Sequence, residues 1–155
     1  MKSTRLTLLI AVALAAACGS PTHPSETPVA FVHSVSFGFC LPSSYCTSRL
    51  ELSEDEAVLT YVSREAGSIV RRQAVDAALW RTVTSALQPA ALRSLPGTVG
   101  CPDCADGGTE RIEVTFDDGQ TAAVSFEYRA RVDGIDALAV ALREVRESFG
   151  PPPTR

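Results

Sequence analysis

The stretch ERIEVTFDDGQTAAVSFEY, Glu110–Tyr128, decides the fold class. Ile112, Val114 and Phe116 alternate with polar residues in its first half; Ala122, Val124, Phe126 and Tyr128 fall on one side of its second. A period of two marks a strand with one buried face. Between the runs, Asp117-Asp118-Gly119 places glycine where a tight turn needs a positive φ. The stretch reads as a β-hairpin, strand Glu110–Phe116 and strand Thr121–Tyr128, whose apolar side needs a covering layer.

Working outward, the chain supplies more strands and then the cover. Upstream, FVHSVSFGF (Phe31–Phe39) alternates, with Phe31, His33, Val35, Phe37 and Phe39 on one face. Arg49–Ser53, Ala57–Arg64 and Ile69–Val75 are further strands, separated by turns at SEDE and EAG. The period then changes. Asp76 can cap a helix through AALWRTVTSAL, with Leu79, Val83, Ala86 and Leu87 on one face. Pro89 breaks that helix or restarts a second turn through Leu92 and Leu95. Downstream, Ile135, Leu138, Ala139, Leu142, Val145 and Phe149 recur at helical spacing, an amphipathic helix with one buried stripe. Runs of strands rather than strict alternation imply an α+β fold: a mostly antiparallel sheet of about six strands with two helices packed on one face.

The N-terminus has a different character. MKSTRLTLLIAVALAAACGS opens with Lys2 and Arg5, followed by an apolar run, Leu6–Ala17, too short for a permanent span and suited to a signal peptide. Leu14-Ala15-Ala16-Ala17-Cys18 resembles the end of the signal in bacterial lipoprotein precursors of the signal peptidase II type. That resemblance implies cleavage before Cys18 and a diacylglycerol on its thiol, with the small residues Ala16 and Ala17 in the positions before it. Ala15 departs from the pattern, which more often has leucine there. Several acyl chains anchor firmly where one is marginal. An ordinary signal peptide cut at the same alanines is the alternative, and it too exports the chain. Gly19–Ala30, with three prolines and four serines or threonines, reads as a flexible tether reaching roughly 37 Å at about 3.1 Å per residue. The organisation is then residues 1–17 signal peptide, 18–30 lipid-attachment cysteine and tether, 31–149 a single domain, and 150–155 a disordered tail, GPPPTR. His23 falls in the tether and is read as solvated.

Composition excludes several activities. Losing Lys2 and Arg5 takes two from the 14 basic residues, against 18 acidic ones. An acidic chain with no basic run argues against nucleic acid as a partner. Lys2 is the only lysine, so the domain has no Schiff-base lysine and no phosphate-loop lysine. No G-x-S-x-G occurs, and His33 is the only histidine in the domain; its place on an apolar face reads as a core or rim histidine with a satisfied hydrogen bond rather than a catalytic one. Asp117-Asp118 and Glu54-Asp55-Glu56 lie in turns, where solvation is the default.

Cysteines carry what chemistry there is. Apart from Cys18, the chain has Cys40, Cys46, Cys101 and Cys104. An even number in an exported domain favours disulfides, and three connectivities are possible. Local pairs, Cys40–Cys46 and Cys101–Cys104, suit the turn residues of CLPSSYC; links across about sixty residues would stabilise more, about 4 kcal/mol against about 2. Four thiolates around zinc, spaced C-x5-C and C-x2-C, are a further arrangement. Catalytic redox chemistry at Cys101/Cys104 lacks the helix N-terminus that activates a thiolate, since ADGG leads into a strand, and Asp103 and Asp106 raise a thiol pKa. Calcium at Asp103 and Asp106 lacks an EF-hand loop; the plain reading of these acidic residues is a solvated turn. FGFCLPSSYC (Phe37–Cys46) followed by GCPDCADGG (Gly100–Gly108) is similar to a group of small bacterial lipoproteins with a first-strand cysteine loop and a Cys-Pro-Asp-Cys stretch. That resemblance spans residues 31–149 and implies no activity. The function expected is a lipid-anchored, extracytoplasmic cell-envelope protein with a small binding or scaffolding domain. It meets the membrane through Cys18 and an envelope protein partner, with no cofactor, and Gly19 after the cysteine points to the outer membrane where a cell has one. The alternative is a thiol-redox or zinc-dependent protein using Cys101 and Cys104.

Overall fold

A computed structural model describes residues 24–152. The signal peptide, Cys18 and His23 lie outside them, as do residues 153–155. Six strands form one antiparallel sheet in the order β4-β3-β2-β1-β5-β6. They are β1 (Pro28–Ser36), β2 (Thr47–Leu52), β3 (Glu56–Ser63), β4 (Gly67–Ala74), β5 (Thr109–Phe116) and β6 (Thr121–Glu127). Helices α1 (Ala77–Ala86) and α2 (Pro89–Ser94) carry the chain from β4, at one edge, back to β5 beside β1; α3 (Asp136–Ser148) follows β6. None of the described helices is long and apolar enough to cross a membrane.

The hairpin sets the register of everything beside it. Gly119 takes φ 80°, and its N–H donates to Phe116 O at 2.9 Å while the Phe116 N–H donates to Gln120 O at 2.9 Å. This is a three-residue loop with glycine at its left-handed position. From there the inward side chains run in continuous rows across the strands. Arg71, Leu59, Leu50, His33, Ile112 and Val124 form one row. Ile69, Tyr61, Ser48, Val35, Glu110 and Phe126 form the next. A one-residue slip at any pairing would turn such a row to solvent.

These rows make one core with Val83 and Leu87 of the α1 end, Leu92 of α2, and Leu138, Leu142 and Val145 of α3. Asp76 caps α1 as its sequence predicts, its carboxylate accepting the Leu79 N–H at 2.8 Å. Phe31 meets Trp80 edge-on at 5.5 Å between ring centres, fixing α1 over β1. The sheet's other face carries the ion pairs Arg49–Glu51, Arg111–Glu113 and Arg72–Glu56.

Four expectations are corrected. The described residues contain three helices, not two, because Pro89 sits in the first turn of α2, where its fixed φ suits a helix start and its missing N–H costs nothing. β1 starts at Pro28, inside the stretch assigned to the tether, with Thr27 O accepting the Asp117 N–H at 3.0 Å. β1 also stops at Ser36, so Phe37 and Phe39 leave the apolar face; Phe39 is 78% exposed. The start of the assigned tail is fixed as well, since Tyr61 Oη donates to Gly150 O at 2.7 Å.

Ile112, wholly buried at the centre of its row, is the clearest probe of the core. Ile112→Ala is expected to lower unfolding stability by about 2–5 kcal/mol, read as a lower urea midpoint at unchanged slope. The exposed Val70→Thr should leave the midpoint within about 0.5 kcal/mol.

Candidate functional site

The two ends of β1 are differently equipped. At Pro28 it pairs with Phe116 beside the β5–β6 turn; at Ser36 it pairs with Thr109. The loop Cys40–Cys46 follows Ser36 and Cys101–Cys104 precedes Thr109, so the sheet brings both cysteine loops to one end. The entering chain is at the other, about 30 Å away for nine residues of strand.

The cysteines sit as two local pairs. Cα atoms are 5.9 Å apart for Cys40 and Cys46 and 5.5 Å for Cys101 and Cys104, both inside the range a disulfide spans. Cys101 and Cys104 are exposed. The four do not converge, and among the described residues no group of three or more His, Cys, Asp or Glu side chains is arranged to hold a metal ion. No α-helix starts at Cys101 or Cys104; a single 3₁₀ turn, Cys104–Asp106, leads into β5.

Asp103 departs from the solvated turn expected of it. Its Oδ1 accepts the N–H of Gly38 at 3.1 Å and of Gly108 at 3.2 Å, while its own N–H donates to Gly108 O at 3.2 Å. One carboxylate thus ties the Cys40–Cys46 loop to the Cys101–Cys104 loop. A Cβ at position 38 would strike Asp103 Oδ2, so a larger residue there would push this carboxylate out of its present position. The chain around the clasp is bent hard: Asp103, Ala105 and Asp106 all have left-handed φ, at 61°, 54° and 59°. Phe37, released from β1, lies edge-on to Tyr128 at 4.9 Å. Pro42 O accepts from Ser63 Oγ at 2.9 Å and from the Glu65 N–H at 3.2 Å, holding the loop against the β3–β4 turn. Among the residues left outward, beside Ser43, Ser44 and Asp106, are two large apolar side chains, Phe39 at 78% and Leu41 at 66% exposure.

Beneath this end lies a buried ionic cluster that the sequence reading missed. Glu110, on the inner face of β5, is fully buried. Arg143 of α3 straddles it, with Nε 3.0 Å from both carboxylate oxygens and Nη2 on Oε2. The Arg129 N–H adds a third donor at 3.3 Å. His33, also fully buried, puts Nε2 3.4 Å from Glu110 Oε1, and neither ring nitrogen makes a hydrogen bond of good geometry. Arg146 of α3 completes the surroundings of the imidazole. Burial pushes the Glu110 pKa up, but His33 and the Arg143 guanidinium outweigh it and bring it to about 2. Burial lowers the His33 pKa below 6.5, against the opposing pull of Glu110. The signal for Glu110 was present: it shares the period-two face of Ile112, Val114 and Phe116.

Compared with known proteins, the chain matches no protein-family model, no curated protein and no solved structure. The functional reading therefore rests on geometry.

The cluster dictates a pH profile. Native His33 stays neutral below 6.5 while the unfolded chain takes up a proton, so stability is full above about pH 6.5 and falls as pH drops below it. Glu110, lowered from 4.5 to about 2, adds a second loss as pH falls through that interval. Melting temperature against pH should show both declines, and His33→Leu should abolish the first. A wild-type melting temperature flat from about pH 7 to about pH 5 would contradict this assignment.

Proposed function

We propose that this chain is an exported cell-envelope protein, lipid-anchored at Cys18, whose domain presents its cysteine-loop end to a protein partner. The observation carrying this reading is the polarity of β1. The segment that would bear the lipid enters the sheet at Pro28, and the cysteine loops with exposed Phe39 and Leu41 sit at the opposite end of β1, which supports a reading in which they are the membrane-distal end. Large apolar side chains on an ordered loop suit insertion into a partner's pocket. The Asp103 clasp and the Pro42 contacts hold that loop ready, which lowers the ordering cost of binding.

Metabolic labelling with palmitate tests the anchor: wild type should take up label and Cys18→Ala should not. An unlabelled wild type overturns the reading.

We propose further that both local cysteine pairs are disulfides, clasps for this end rather than reactive centres. Export favours oxidation, and the turn after Cys104 offers no helix dipole to activate a thiolate. Alkylation of protein trapped in acid on isolation should leave Cys40, Cys46, Cys101 and Cys104 unmodified. Alkylated Cys101 and Cys104, with zinc in the preparation, would favour the thiol or zinc alternative instead.

A further inference from the structure

Arg146 of α3 has no close counterion among the described residues. Glu110 is neutralised by Arg143, and Glu147 Oε1 takes Arg129 Nη2 at 2.7 Å. Arg146 is left with a single ion pair among the described residues, at 3.9 Å, to that same Glu147 oxygen. Its side chain is only 12% exposed, and its buried Nε has no hydrogen-bond partner. The Nε is closed off from any ligand, so an anion can join this guanidinium only at its Nη end, where the nearest counterion is 3.9 Å away.

There is room for one beside it. A pocket of about 350 Å³ is lined by Tyr61, Arg146, Glu147, Gly150, Pro151 and Pro152. Its polar groups other than Arg146 are largely engaged. Tyr61 Oη donates to Gly150 O at 2.7 Å, and Arg71 Nη1 caps the Phe149 and Gly150 carbonyls. Arg71 also lies over the Tyr61 ring, 5.7 Å from its centre, so a second cation flanks the pocket. The Tyr61 ring and the two prolines give apolar walls. Among the described residues the one carboxylate in the wall, Glu147, is drawn towards Arg129.

From this we infer a ligand site that goes beyond the proposed anchoring and partner roles: the pocket takes a small monocarboxylate with an apolar body, its carboxylate on Arg146 and its body between Tyr61 and Pro151-Pro152. Arg146 and the flanking Arg71 favour an anion, and the Glu147 carboxylate beside them disfavours a second negative charge on it. Glu147 repels a dianion such as phosphate. The volume is at the small end for ligand pockets, about 300–1,000 Å³, which fits a one-ring acid.

Benzoate is the probe, titrated into the full chain with Tyr61 ring resonances as the readout. Saturable shifts are expected, with benzyl alcohol and inorganic phosphate each binding at least about tenfold more weakly, about 1.4 kcal/mol. Arg146→Gln should weaken benzoate about tenfold or more while leaving the Phe31 and Trp80 core resonances in place. Because Arg146→Gln also changes α3, a gain-of-binding variant stands beside it: Glu147→Gln, which removes this wall carboxylate, should tighten benzoate roughly threefold. The inference fails if benzoate produces no saturable shift, if benzyl alcohol or phosphate matches it, or if Arg146→Gln binds as wild type does.

Discussion

Glu110 is a full charge held out of water under the cysteine-loop end of the layer between sheet and α3, and the arrangement of three elements follows from keeping it satisfied. Arg143 meets both carboxylate oxygens from α3, the Arg129 N–H comes from the segment after β6, and Arg143 Nη2 reaches on to Ala130 O. β5, the β6–α3 connection and α3 are thereby fixed to one another by directional bonds, where hydrophobic contact alone would allow sliding. Such a pair contributes little net stability compared with an apolar pair of the same shape, but breaking it by removing one member is severe, about 3–5 kcal/mol. Its effect is on uniqueness: only one placement of α3 leaves Glu110 paired.

The same constraint orders the sheet. Glu110 lies opposite Val35 and Phe126 in its row, and His33 lies one row away on the same face. Placing Glu110 inward fixes the face on which Ile112, Val114 and Phe116 fall, and through the ladders the inward face of every other strand. It also decides which end of the sheet is which. Glu110 follows Thr109 directly, so the ionic cluster lies under the cysteine-loop end, while the turn Asp117–Gly119 lies where the chain enters. Two polar devices therefore stabilise one end of the molecule, Asp103 between the loops and Glu110 beneath them.

Much of this was legible in the residues, for a physical reason: period two and period 3.6 are local properties. The hairpin Glu110–Tyr128, the capped start of α1 at Asp76 and the stripe of α3 could all be read from neighbours in sequence. Misreadings came where tertiary contacts override a local pattern. Phe37 and Phe39 continue the alternation of β1, yet the strand ends at Ser36 because the chain turns into the Cys40–Cys46 loop and Phe37 finds Tyr128 instead. Pro28 looked like tether because prolines punctuate, but the first residue of a strand tolerates one. Glu110 carried a sign in its parity, whereas its partner Arg143, 33 residues away, carried none. Asp103 was indistinguishable from its exposed neighbour Asp106 until the fold brought Gly38 against it.

Lys2 is the only lysine of the chain, so among the described residues arginine stands at every Lys/Arg position, and the cluster shows why that matters to the fold. Arg143 uses Nε and Nη2 together on one carboxylate and still has Nη2 within 3.3 Å of Ala130 O. A lysine offers one compact, strongly hydrated charge on a flexible stem and lacks the planar fork that lets Arg143 meet both carboxylate oxygens at once. A guanidinium is less tightly hydrated and planar, so it enters the layer between sheet and helix at lower cost. Along α3 the same side chain serves three environments: in the core at Arg143, at a pocket wall at Arg146, and in solvent from the neighbouring segment at Arg129. Arg143 meets Glu110 within the core. Arg129 meets Glu147 at the surface. Arg146 sits between them, close to buried and with its nearest counterion 3.9 Å away, so its charge is the least well matched of the three.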